Sequence, residues 1–167
     1  MRDYSVSVAS HAAACHCSGL FSILGASPVR EVSLPEPLSF LGVMERTIEL
    51  VGNSVPRETL QKVAQVFHTL RWDFQDYGVQ VHFLVNDAGD VSYARDWAGP
   101  VDSVIVMDAL TFHKAAYGKA NFGTALLMGK LRIEGISPLS LGKFTPLLKP
   151  FLDSYQQACS EFNGSLI

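Results

Sequence analysis

Cysteine is scarce in this chain: Cys15, Cys17 and Cys159 are its three thiols in 167 residues. That excludes the disulfide framework of a small secreted domain, and no paired C-x-x-C spacing offers a zinc site. A reduced, intracellular setting follows, and the cytoplasm is the expected compartment. Charge is sparse as well, at 17% of residues, with 13 basic against 16 acidic side chains and a formal net charge of -3. A binder of phosphate backbones needs a basic surplus, so nucleic acid is not an expected partner. No apolar run approaches the roughly 18 residues of a membrane helix, so no span is expected. An export signal is not expected either, because Arg2 is offset by Asp3 and the stretch from Ala12 to Ala26 is broken by His16, Ser18 and Ser22. Gly-x-Ser-x-Gly, a phosphate loop and a dinucleotide fingerprint are all missing, so the chain reads as a non-enzyme that needs no cofactor.

What the sequence does have is apolar bulk. Hydrophobic residues make up 48% and aromatics 10%, with ten Phe and five Tyr. Disordered chains are charge-rich and poor in aromatics, so a packed core is expected over most of the length. The length suits one domain. Residues 1–37 stand apart: they hold no Lys and only five charged residues, and they end in Pro35-Glu36-Pro37. They read as an irregular leader, followed by a single domain over 38–162 and a tail over 163–167. In the leader, His11, Cys15, His16 and Cys17 are soft-metal ligand types. They lack a second pair, and no metal site is assigned to them.

Within the domain, Leu41, Met44, Ile48 and Val51 recur at helical spacing and predict a helix over about 40–51, capped by Ser39 and ended by Gly52-Asn53. Ser54 is expected to cap a second helix, with Leu60, Val63, Ala64 and Phe67 as its apolar stripe. The period then changes to two. Leu70, Trp72 and Phe74 alternate with Arg71, Asp73 and Gln75, and Val79, Val81, Phe83 and Val85 alternate with Gln80, His82 and Leu84. These predict two strands, each with one wet face, joined by the tight turn Asp76-Tyr77-Gly78. A third strand over 91–94 follows the turn Asn86-Asp87-Ala88-Gly89, so the first three are antiparallel neighbours. A fourth strand is expected over 103–107, a helix capped by Asp108 over about 109–117, and another capped by Asn121 over about 122–128. Lys130 to Glu134 alternates again as a fifth strand. The remainder reads as helical in two pieces, 139–144 and Pro146 to roughly Phe162.

The stretch Ala125-Leu-Leu-Met-Gly-Lys-Leu-Arg-Ile-Glu-Gly135 resembles the signature of the sterol carrier protein 2, or non-specific lipid-transfer, family. In that family a helix leads into a Gly-Lys-Leu-Lys-Ile-Glu/Thr-Gly-type strand. Asp102-Ser-Val-Ile-Val-Met107 is similar to its strand that begins with Asp, and Leu110-Thr-Phe-His-Lys-Ala-Ala-Tyr-Gly118 to the helix after it. The resemblance covers about Phe67 to Phe144. The chain ends Ser165-Leu166-Ile167, without the basic middle residue of the family's peroxisomal tripeptide, so that import is not implied. The leader and the long helix after Pro146 also lie outside the minimal pattern.

The resemblance implies an α+β fold: a mainly antiparallel sheet of about five strands, covered on one face by helices, with an apolar tunnel between. It implies a non-catalytic protein that binds or transfers a hydrophobic small molecule, be it a lipid, fatty acyl chain, sterol-like or quinone-like ligand. The alternative is an accessory subunit of a lipid or isoprenoid-quinone enzyme system, with the C-terminal helix as a surface for a protein partner or a homodimer. On the residue pattern, Phe74, Val81 and Phe83 are candidates for the tunnel floor, and Phe112, Phe122, Leu126, Leu141 and Phe144 for its helical wall. Leu147, Leu148, Phe151 and Tyr155 are candidates for a lid. Ordinary core packing competes with this reading at every one of these positions. Lys143 and Lys149 bracket the lid, where they would meet an acidic head group or simply face water. His82, outward on its strand, and His113 are the remaining candidates for chemistry, and each would need a partner within hydrogen-bond reach.

Overall fold

The computed structural model describes residues 33–164. The expectations placed on the leader up to residue 32, its soft-metal ligand types included, and on 165–167 fall outside the described residues. The chain opens with helix α1 (Pro37–Ser54), then α2 (Arg57–Ala64), and enters strands β1 (Thr69–Phe74), β2 (Val79–Val85), β3 (Val91–Ala94) and β4 (Ser103–Met107). Helices α3 (Ala109–Ala116) and α4 (Phe122–Leu127), strand β5 (Leu131–Glu134) and helix α5 (Pro138–Gly164) complete it. The five strands lie in the order β3-β2-β1-β4-β5. Three of the pairings are antiparallel, and β1 with β4 is parallel. The architecture is thus an α+β fold on a mainly antiparallel sheet.

Register places the apolar half of each strand on one face. Trp72 lies between Val81 and Ile105, Phe74 between Val79 and Met107, and Ile105 and Met107 oppose Ile133 and Leu131. Helices α1 and α5 close over this face with Phe40, Met44 and Ile48 from one and Leu147, Phe151 and Tyr155 from the other, all buried. Edge-on aromatic pairs knit the layers, among them Phe40–Phe74 at 4.8 Å, Trp72–Phe112 at 5.0 Å and Phe112–Tyr155 at 4.8 Å between ring centroids.

Several local expectations are corrected. Helix α1 starts at Pro37, whose ring presets the dihedral of a first helical residue and whose missing N–H has no partner to lose there. Ser39 therefore lies inside the helix. Gly52 does not end it: a Cβ there would meet Val91 Cγ2 at 2.6 Å, so the glycine lets α1 approach β3. Ser54 closes α1 instead of capping α2, whose N-cap is Pro56. Asp108 makes no side-chain cap bond to α3. The carboxylate of Asp76, in the β1–β2 turn, accepts from Ala109 N at 2.7 Å and Leu110 N at 3.2 Å and does that work from a distance. Asn121 caps α4 as expected, accepting from Thr124 N. The C-terminal segments form one helix that carries Pro146 and Pro150 inside it. Each proline deletes one backbone hydrogen bond, yet packing of the far half on α1 keeps the helix continuous.

The outer face is drier than period two implies. His82 faces away from the helices but is only 3% exposed, and its Nδ1–H donates to Ala94 O at 3.2 Å. Thr69 and Val106 on that face are also buried. They sit on interior strands, where neighbours on both sides and the Arg71–Asp73 ion pair at 2.9 Å cover them.

Gly135 ends β5 at φ 81°, and a Cβ there would fall 2.1 Å from Asp102 O. Gly129 has φ 70° with nothing within 4 Å of the added carbon. Gly129→Ala should therefore cost only the left-handed strain, about 1–2 kcal/mol. Gly135→Ala should cost about 2–4 kcal/mol, because the β5 exit must also move off β4. Urea unfolding of the two variants side by side measures the difference, and equal losses would refute the close-approach explanation.

Candidate functional site

Coverage of the sheet is uneven. The long helices α1 and α5 pack over β1, β2 and β3, whereas β4 and β5 are faced by the six residues of α4 and the first half of α5. A cavity of about 180 Å³ remains in that corner. Its floor is Leu70 and Trp72 from β1, Ile105 and Met107 from β4, and Leu131 and Ile133 from β5, with Ile136 beyond. Its wall is Phe122 from α4 and Phe144, Thr145 and Leu148 from α5. No Asp, Glu, Lys, Arg or His contributes to the lining. Of the lining residues only Trp72 and Thr145 carry a polar side-chain atom; the Trp72 indole nitrogen is buried, and Thr145 is an exposed residue at the rim.

Three of the residues expected to line a tunnel, Phe122, Phe144 and Leu148, stand on this wall. Phe74, Val81, Phe83, Phe112, Leu147, Phe151 and Tyr155 are instead placed in the closed core, 0–3% exposed. Leu126 is 43% exposed, beside Leu127 at 90% and Met128 at 65%. The side chain of Leu141 lies outside those described. The floor also takes in Ile105 and Met107 of β4 and Leu131 and Ile133 of β5, which alternate in the sequence but are not among the expected liners. Their role depends on strand order, which a period-two pattern does not carry, and the alternation that nominates Phe74, Val81 and Phe83 is the same on every strand.

The other chemistry-bearing groups lie apart from the cavity lining. His113 Nδ1 and Tyr155 Oη are 3.0 Å apart, both buried between α3 and α5. Burial pushes the Tyr155 hydroxyl far above its ordinary range, with the neighbouring Cys159 adding to it. Burial likewise pushes the Cys159 thiol up to about 11, against hydrogen bonds from Tyr155 and Tyr117 that pull it back. Both groups are neutral at physiological pH, so neither is an ionised nucleophile. His82 and His113 stand on opposite faces of the sheet and neither lines the cavity. Lys149 is paired with Asp153 at 2.5 Å, and Lys143 is exposed. Among the described residues no three His, Cys, Asp or Glu side chains are grouped to hold a metal, and no helix is long and apolar enough to cross a membrane.

The Cys159 shift has a consequence for stability. The folded thiol keeps a proton that the unfolded thiol releases near pH 9, so its contribution is complete below pH 9 and is lost as pH rises towards 11. Urea midpoints taken across that range should decline, and in Cys159→Ala the decline should begin later, near pH 10, where unfolded tyrosine starts to ionise. Superimposable profiles for the two proteins would show that the thiol is not held neutral.

The model of the SCP-2 sterol transfer family matches residues 48–149. No curated protein matches the chain significantly. Among solved structures, a sterol carrier protein 2 is 15% identical over 71% of this chain and 97% of that one, with a TM-score of 0.49. The UbiJ-SCP2 ubiquinone synthesis protein is 15% identical over 73% of this chain and 96% of that one, with a TM-score of 0.46. The sec-alkylsulfatase Pisa1 from Pseudomonas sp. is 20% identical over 60% of this chain, with a TM-score of 0.46, and the chain spans only 15% of its length. The span matched by the family model is more than half of the chain and takes in all five strands and every residue of the cavity lining, and the chain belongs to the SCP-2 sterol transfer family.

Proposed function

We propose that the protein binds a neutral hydrophobic molecule in the corner cavity and carries or presents it without altering it. The observation that supports this reading is the lining itself: apolar floor and wall, no ionisable side chain, inside a domain of a sterol transfer family. Burying an unpaired carboxylate or ammonium there would cost several kcal/mol, whereas each buried methylene contributes about 0.8 kcal/mol.

Volume sets the terms of binding. A cavity of about 180 Å³ is close to the ~150 Å³ that accepts a benzene and well under the roughly 300–1,000 Å³ of pockets that enclose a drug-sized ligand. Six buried carbons supply about 5 kcal/mol, which is sub-millimolar affinity. Micromolar binding needs about ten, so a longer ligand must open the wall. The wall that yields is the first half of α5: Phe144, Thr145 and Leu148 lie on the stretch carrying Pro146 and Pro150, which lacks two of its backbone hydrogen bonds.

The small volume also favours a second reading. Most of the expected tunnel lining is packed shut, as in a domain that serves as an accessory piece of a lipid or quinone enzyme system. Native mass spectrometry of the purified protein, with solvent extraction of any extra mass, separates the two. So does displacement of the neutral fluorophore N-phenylnaphthylamine by long-chain neutral lipids. Carriage predicts saturable displacement at micromolar concentrations, weakened at least ten-fold by Ile133→Trp, which fills the cavity from the β5 edge. A clean apo mass with no displacement would sink carriage and leave the accessory reading.

A further inference from the structure

We propose that the end of the sheet at which β5 begins is a docking face for an anionic phospholipid bilayer, with the turn from α4 into β5 as its point of insertion. This goes beyond the carrier reading and does not depend on what the cavity holds. Leu126 is 43% exposed, Leu127 90% and Met128 65%, and α4 buries only Ala125. The same end carries further apolar surface. Leu131, the first residue of β5, opposes Met107, the last of β4, and Met107 opposes Phe74, the last of β1. The turn after Phe74 holds the start of α3 through Asp76 and meets the chain just before α1, where Tyr77 Oη donates to Pro35 O at 2.6 Å. Leu110, in the first turn of α3, and Leu38, in the first turn of α1, are 44% and 83% exposed. Five of the seven exposed large apolar residues among those described thus stand at one end of the sheet, which makes them a surface feature and not scatter.

Charge selects the occupant. Between Asp108 and Asp153 the chain holds Lys114, Lys119, Lys130, Arg132, Lys143 and Lys149 against Glu134 alone, within a protein of net charge -3. Lys119 precedes α4, Lys130 follows Met128 across Gly129, and both are exposed. The acidic groups of this end, Glu36, Asp76 and Asp108, lie toward α1 and the start of α3, and Asp76 is spent on the α3 amides. The basic side is therefore the α4 turn. Apolar side chains at a tip with lysines beside them match the two layers of a bilayer surface, acyl chains below and phosphate charge above. A protein partner is matched less well, because lysine is depleted in protein interfaces. A second copy of this chain is matched less well again, because a twofold interface is self-complementary and would set these cations against each other.

Co-sedimentation of the full chain with vesicles tests this, comparing an equimolar mixture of phosphatidylcholine and phosphatidylserine with phosphatidylcholine alone. Binding should be about ten-fold tighter to the anionic vesicles and should weaken as salt is added. Leu127→Gln combined with Met128→Gln should weaken it about ten-fold, through lost apolar insertion. Lys130→Gln should weaken it about five-fold, the effect of one cation at an anionic surface. Lys62→Gln, an exposed lysine on α2 at the other end of the sheet, should leave it unchanged. Leu127 and Met128 are exposed and do not line the cavity, so the double variant should keep the wild-type urea midpoint and the wild-type response to cavity ligands. Loss of docking is thereby read apart from loss of the fold and from failure of the carrier reading. Absence of vesicle binding, equal binding to the two compositions, or wild-type binding by the double variant would overturn the inference. So would a dimer in solution that the double variant dissolves, which would give the face to a second copy.

Discussion

The parallel pairing of β1 with β4 is the constraint on which the rest of the structure depends, and two carboxylates hold it, one at each end. At the start, Asp102, just before β4, accepts from the backbone N–H groups of His68 and Thr69 at 2.8 and 3.0 Å. At the far end, Asp76, just after β1, accepts from the first N–H groups of α3, the helix that follows β4. The exchange is reciprocal: each strand's flank satisfies donors belonging to the other. Hydrogen bonds to a charged acceptor are about twice as strong as neutral ones, and these four satisfy backbone donors that the ladder leaves over. Gly135 then lets the exit of β5 lie against the backbone of Asp102, so the third member of this edge is keyed to the same point.

That arrangement decides where the cavity lies. It brings β4 beside Trp72 and β5 beside β4, extending the apolar floor past the reach of α1, whose buried face is spent on β2, β3 and α5. The corner is left to the short α4 and to the proline-bearing half of α5. The corner is therefore packed less completely than the core beneath α1 and keeps an exposed rim at Thr145. A ligand that binds this folded corner and not the unfolded chain would couple occupancy to stability by mass action.

How far this was legible in the sequence follows from which interactions are local. Strand positions, the alternation of Leu70, Trp72 and Phe74, and the cap at Asn121 are set within a few residues and were readable. So was the motif from Ala125 to Gly135, whose last glycine has a physical reason once Asp102 is seen beside it. The cap of α3 was misread because its donor groups are served by Asp76, more than thirty residues upstream, and not by the adjacent Asp108. Gly52 was misread as a stop because the close approach of Val91 is a tertiary fact. The cavity floor depends on the same kind of tertiary fact. Ile105, Leu131 and Ile133 alternate plainly, but nothing in a period of two says that β4 pairs with β1, and the same pattern marks residues such as Phe112 and Phe151 that pack in the core.

The separation of polar chemistry from the cavity bears most directly on function. His113, Tyr155 and Cys159 form a buried polar set, the feature that most resembles catalytic machinery. Yet burial holds the thiol and the phenol neutral, and none of the three residues lines the void. A catalytic base must reach the proton it takes, and a nucleophile must reach the carbon it attacks. Here the cavity lining offers a ligand apolar contact, while the His113, Tyr155 and Cys159 side chains are buried away from it. Such a division suits the proposed carrier, which would hold a molecule by its apolar body.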